Sequence, residues 1–130
     1  MTTTPNRRPL VEHRQGRAYL AGTCHLVSSI RTYLDNRYSM ATIRRGYAGL
    51  ADWTNAELAE VATYPRVEHP AWPPTADLPA IWIDGDGDIN VDGYVTTANL
   101  PALIALLQEA AAKVEAWRAE CAAWMEEHNQ

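Results

Sequence analysis

Long apolar runs, clustered cysteines, lysine and recognisable catalytic motifs are all scarce or missing in this chain. No stretch is long enough to span a bilayer, and the opening MTTTPNRRPL lacks the apolar centre of a secretory leader. A cytoplasmic protein with no membrane partner is therefore expected. The two cysteines, Cys24 and Cys121, stand far apart and match no metal or redox spacing, which suits a reduced compartment. There is no phosphate loop, zinc-protease motif or nucleophile elbow. His13, His25, His69 and His128 are scattered, and adjacent Cys24 and His25 make no dyad because neighbours on a helix point apart. These absences predict a non-enzyme without metal or cofactor. Lys113 is the sole lysine in a chain rich in alanine and arginine, a composition that suits a high-GC bacterium or its phage.

What is present is ordinary globular material: 130 residues, 47% hydrophobic and 21% charged, enough for one domain or a small domain with an appended assembly element. The net charge of −5 conceals a division. Residues 1–66 carry nine arginines against five acids, a balance of +4, whereas residues 67–130 carry two basic residues against eleven acids, a balance of −9. A basic front half suits a polyanion, and an acidic back half suits a different task.

Residues 1–15 are polar, hold Pro5 and Pro9 and have no period, so they read as a flexible basic arm with Arg7 and Arg8 available to a groove. Residues 18–21 read as a short strand closed by Gly22. Leu26, Val27, Ile30, Tyr33 and Leu34 then form a helical stripe that stops at Asn36. Ser39 is placed to cap a second helix with Met40, Ile43 and Tyr47 on its inner face and Arg44 and Arg45 beside it. Thr54 and Glu57 have the spacing of a capping box, Leu58 and Val61 face inward, and Tyr64-Pro65 ends a third helix. Three short helices with this spacing form an acceptable helix-turn-helix.

The order G-x-x-Y-L-A-G-T, V-x-x-I, Y-S-x-x-x-I-x-x-x-Y-x-x-L and T-x-x-E-L-x-x-V-x-x-Y resembles a small helix-turn-helix family. That family is catalogued as a domain of unknown function and includes some VapB-type antitoxins. The likeness covers residues 16–66 and rests on Gly16, Tyr19, Leu20, Gly22, Thr23, Val27, Ile30, Ser39, Ile43, Tyr47, Leu50, Thr54, Leu58 and Tyr64. Cys24, His25 and Leu26 replace the family's Arg, β-branched residue and Pro, Ala48 replaces a proline, and residues 51–53 lengthen the connection before Thr54. The resemblance implies DNA binding by the second and third helices, dimer formation and, in some members, neutralisation of a toxin nuclease.

Residues 67–79, together with Pro65, hold five prolines and read as a semi-rigid spacer, with Pro70 and Pro73 also at the spacing of a PxxP ligand. Residues 80–83 and 89–91 flank Asp84-Gly85-Asp86-Gly87-Asp88 as a β-hairpin. The alternating aspartates open like a calcium loop, but Ile89 and Val95 stand where a glycine and a closing acid are needed, so solvated turn carboxylates are expected. Beyond them Leu100, Leu103, Leu107, Ala110, Val114, Trp117, Cys121 and Trp124 repeat at alternating spacings of three and four. A helix of about thirty residues spans roughly 45 Å, and burying each tryptophan contributes about 2–3 kcal/mol. Leu103, Leu107, Ala110, Val114, Trp117, Cys121 and Trp124 are accordingly expected to pair two chains in a coiled-coil-like homodimer.

The expected protein is mainly α with a small β-hairpin. A trihelical helix-turn-helix domain (16–66) follows the arm, and a Pro-rich linker (67–79) leads to the hairpin and long dimerisation helix (80–130). Residues 16–66 would bind duplex DNA as an antitoxin-like transcription regulator. Arg31, Arg37, Arg44 and Arg45 would contact phosphates, and Thr54 and Asn55 would open the recognition helix. Glu57 and Glu60 on that helix oppose this reading by repelling phosphates. The alternative is a protein-interaction module or inhibitor whose acidic half, residues 84–92 and 115–127, occupies a toxin or other basic protein.

Overall fold

Gln15 and Gly16 adopt φ of 53° and 77°, the left-handed pair that a two-residue type I′ turn requires. They join β1 (Val11–Arg14) to β2 (Arg17–Leu20) as an antiparallel hairpin in which Val11 faces Leu20. The computed structural model describes residues 8–68 and 70–128. These form two units, one of residues 8–64 with 121–128 and one of residues 65–120.

The hairpin revises the expected arm. Leu10 and Val11 are fully buried, and such apolar residues leave water when a ladder partner is available. Arg8 is fixed as well, with ion pairs of 3.1 Å to Asp52 and Glu57 and its guanidinium 5.1 Å from the centre of the Trp53 ring. Arg7 lies outside the described residues.

Three helices complete this unit. Helix α1 (Val27–Asp35) buries Val27 and Ile30 and ends at Asn36. The next two N–H groups turn back, Arg37 to the Leu34 carbonyl and Tyr38 to the Tyr33 carbonyl, both at 3.1 Å. This is a Schellman motif with Arg37, at φ 67°, where glycine is usual. Helix α2 (Met40–Gly46) is capped by the Ser39 hydroxyl, which accepts from the Thr42 N–H, and it buries Ile43. Helix α3 (Asn55–Val61) carries the full capping box: Thr54 Oγ1 accepts from the Glu57 N–H at 3.0 Å, and Glu57 Oε1 accepts from the Thr54 N–H at 2.8 Å. Leu50, Trp53, Leu58, Val61 and Tyr64 close the core. Arg31, expected at a phosphate, is instead 5% exposed and donates to the Tyr64 carbonyl. A buried guanidinium needs such an acceptor.

The fourth helix, α4, runs Leu100–His128. Its residues 121–128 belong to this unit, where Trp124 Nε1 donates to Thr63 Oγ1 at 2.9 Å and its ring meets Tyr64 edge-on. His128 stacks on Trp124 with ring centroids 4.3 Å apart and places Nδ1 2.7 Å from Glu60 Oε2.

In the other unit β3 (Ala71–Trp72), β4 (Ala80–Ile83) and β5 (Ile89–Asp92) form an antiparallel sheet in that order. The expected spacer therefore contains an edge strand, set between Pro70 and Pro73, where missing donors cost least. The Asp84 carboxylate fills the β4–β5 loop. Its Oδ1 accepts from the Asp86 and Asp88 N–H groups at 2.9 and 3.1 Å, and its Oδ2 accepts from Asn90 Nδ2 at 3.1 Å. Gly87, at φ 82°, lies against the Trp117 ring so closely that a Cβ would stand 2.5 Å from Cζ3.

The α4 seam also differs from expectation. Leu103, Ala110, Val114, Trp117, Cys121 and Trp124 are buried within the single chain, and Leu107 is half-buried. Trp117 Nε1 donates to the Pro65 carbonyl at 2.8 Å. The stripe is core rather than a face left over for a second copy. No helix among the described residues is long and apolar enough to cross a membrane.

Candidate nucleic-acid interface

The basic surface of the first unit is assembled from α2 and the N-terminal end of α3. Arg44 and Arg45 lie in the last turn of α2, where their charge also complements the helix dipole. With Ala41 and Ala51 they line an open hollow of about 410 Å³. Arg44 Nη1 donates to Asn55 Oδ1, so two of the expected DNA-binding residues meet although eleven positions separate them. Arg45 is exposed and has no ion pair among the described residues. Thr54 adjoins Asn55, but its hydroxyl is the α3 cap, which makes it a positioning residue. Arg37 sits in the exposed turn after α1 and is not among the residues that line the hollow.

The carboxylates that opposed the DNA reading are occupied. Glu57 is held by Arg8 and the α3 cap, and Glu60 lies against His128; Asp52, which precedes α3, shares Arg8 with Glu57. On α3 this leaves Asn55, Ala56 and Ala59 as exposed residues, all neutral and two of them small. The exposed residues of α3 therefore add no charge of their own where a groove would approach.

One part of the surface escaped the sequence reading. Tyr33, assigned to the inner stripe of α1, is 37% exposed, and Tyr38 is 50% exposed. Their rings meet edge-on at 5.4 Å, Tyr33 leans on Tyr47 at 5.5 Å, and Tyr47 meets His25 at 4.7 Å. His25 Nε2 lies 2.8 Å from the Ala48 carbonyl oxygen. The Tyr47 phenol is pushed up to about 12, first by its hydrogen bond with Tyr33, then by burial and the neighbouring phenols. The usable signal was Tyr38 in the turn between two helices, beside Arg37 and the Ser39 cap.

A larger hollow, about 680 Å³, lies in the second unit. Glu68, Glu109 and Glu120 line it opposite Arg66 and Lys113, so it offers a polyanion no net attraction. No protein-family model, curated protein or solved structure matches the chain.

Proposed function

We propose that the protein is a DNA-binding regulator of antitoxin-like type that contacts duplex DNA through α2 and α3 used as a helix-turn-helix. The observation that carries this reading is the meeting of Arg44 and Asn55, which with exposed Arg45 sets two cations beside Asn55, Ala56 and Ala59, the uncharged exposed residues of α3. Arg44 and Arg45 neutralise phosphates, Asn55 reads a base edge, and Thr54 holds the start of the reading helix. The test is anisotropy of a labelled duplex from the gene's own upstream region beside a scrambled duplex, at low and moderate salt. The native duplex is expected to bind more tightly, with affinity falling as salt rises. Arg44→Ala with Arg45→Ala should weaken both duplexes and reduce the salt slope by about 2. Unchanged affinity in that variant would remove the two arginines from the interface.

The outer edge of β5 favours a second reading, a protein-interaction module. Among the described residues no strand pairs with that edge, Val91 is exposed, and nearby Tyr94 is 87% exposed. A stoichiometric protein partner recovered from the native host, without DNA binding, would favour this alternative.

A further inference from the structure

Among the described residues of the first unit, Tyr33 and Tyr38 are the large apolar side chains left exposed, and their rings meet edge-on. Two adjoining exposed rings form a small contiguous apolar patch, the kind of surface that marks an interaction site. Their arrangement is also fixed. The Schellman bonds from Arg37 and Tyr38 set the turn, which brings the Tyr38 ring against Tyr33 at an interplanar angle of 82°. Tyr33 is braced from behind by Tyr47, and Tyr47 by His25. Tyr38 thus presents a held ring with little freedom left to lose on binding. Arg37 precedes it in the chain, and Arg44 is carried by the helix that ends at Tyr47, the ring behind Tyr33. Arg37 has no ion pair among the described residues.

We infer that Tyr38, supported by Tyr33, is a stacking platform for an unpaired base of a single-stranded nucleic acid whose phosphates run past Arg37 and Arg44. The inference goes beyond the duplex reading above, because it assigns the same unit a second nucleic-acid ligand. A duplex presents phosphates and base edges to a protein, whereas an aromatic ring needs a base face, which is available where bases are unpaired. A tyrosine platform accepts any base, so sequence preference here is weak and backbone charge gives most of the salt dependence.

The experiment titrates the full chain at low salt against labelled oligothymidylate, oligouridylate of equal length and a hairpin duplex. Tyr38→Leu keeps an apolar contact with Tyr33 and removes the stacking face, and Tyr38→Phe restores that face. Melting temperatures confirm that both variants fold. The expected result is single-strand affinity about tenfold weaker in Tyr38→Leu and retained in Tyr38→Phe, with duplex affinity unchanged in both. Preference for oligouridylate would identify the strand as RNA, and equal affinity would place recognition in base faces and phosphates alone. The inference is overturned if Tyr38→Leu binds the single strand like the parent, or weakens the duplex equally. Duplex binding without single-strand binding overturns it and leaves the duplex reading standing. Single-strand binding without duplex binding supports it and removes the duplex reading. No binding to any probe removes both.

Discussion

At the scale of single residues the most informative backbone position is Arg37. Its φ of 67° sits where a Cβ crowds the following carbonyl, and the Schellman bonds around it fix that conformation. Arg37→Gly is expected to stabilise the first unit by about 1 kcal/mol in urea unfolding, since glycine removes that crowding. An unchanged or lower midpoint would show that the Arg37 side chain contributes more than its backbone costs. Tyr47 gives a second residue-scale prediction. Its folded pKa of about 12 lies above the ordinary 10.0, so the folded state holds the phenol proton more tightly. That stabilisation is full below pH 10 and is lost as pH rises through 12. In an absorbance titration of the phenols, Tyr33→Phe should return Tyr47 toward 10.0, because the largest cause is the bond to Tyr33.

At the scale of elements, local signals were readable and distant partners were not. The Thr54–Glu57 capping box and the stop at Asn36 depend on neighbours in the chain, and both stand as the sequence suggested. The β1–β2 hairpin was missed because glutamine is an unusual residue for the first left-handed position of its turn. The partners of Glu57 and Glu60 were invisible because Arg8 and His128 come from far along the chain. The α4 seam teaches the same lesson, since apolar spacing specifies a stripe and leaves open which chain covers it. With Val114 and Trp117 buried, Val114→Glu combined with Trp117→Glu should place two carboxylates in the core and cost several kcal/mol. The expected outcome is loss of cooperative melting in circular dichroism. A folded double variant of altered mass in sedimentation would restore the seam as an interface between chains.

At the scale of the whole molecule the division of charge and the division into units nearly coincide. The boundary after Tyr64 lies close to the point where the balance changes from +4 to −9. The exception is the end of α4, since residues 121–128 bring Glu126 and Glu127 into the unit that carries the arginines. Ending the chain after Glu120 should remove Trp124 from Thr63 and Tyr64 and release Glu60 from His128. The first unit is then expected to melt at lower temperature and to show faster amide exchange around α3, while an unchanged melt would make those contacts incidental. Their position has a consequence for biosynthesis. Residues 8–64 leave the ribosome before residues 65–120, yet their core receives Cys121 and Trp124 only after residues 65–120 have been translated. The earlier of these two segments must therefore wait, incompletely covered, while the later one has all its parts sooner, so between the two units the order of synthesis and the order of completion are reversed.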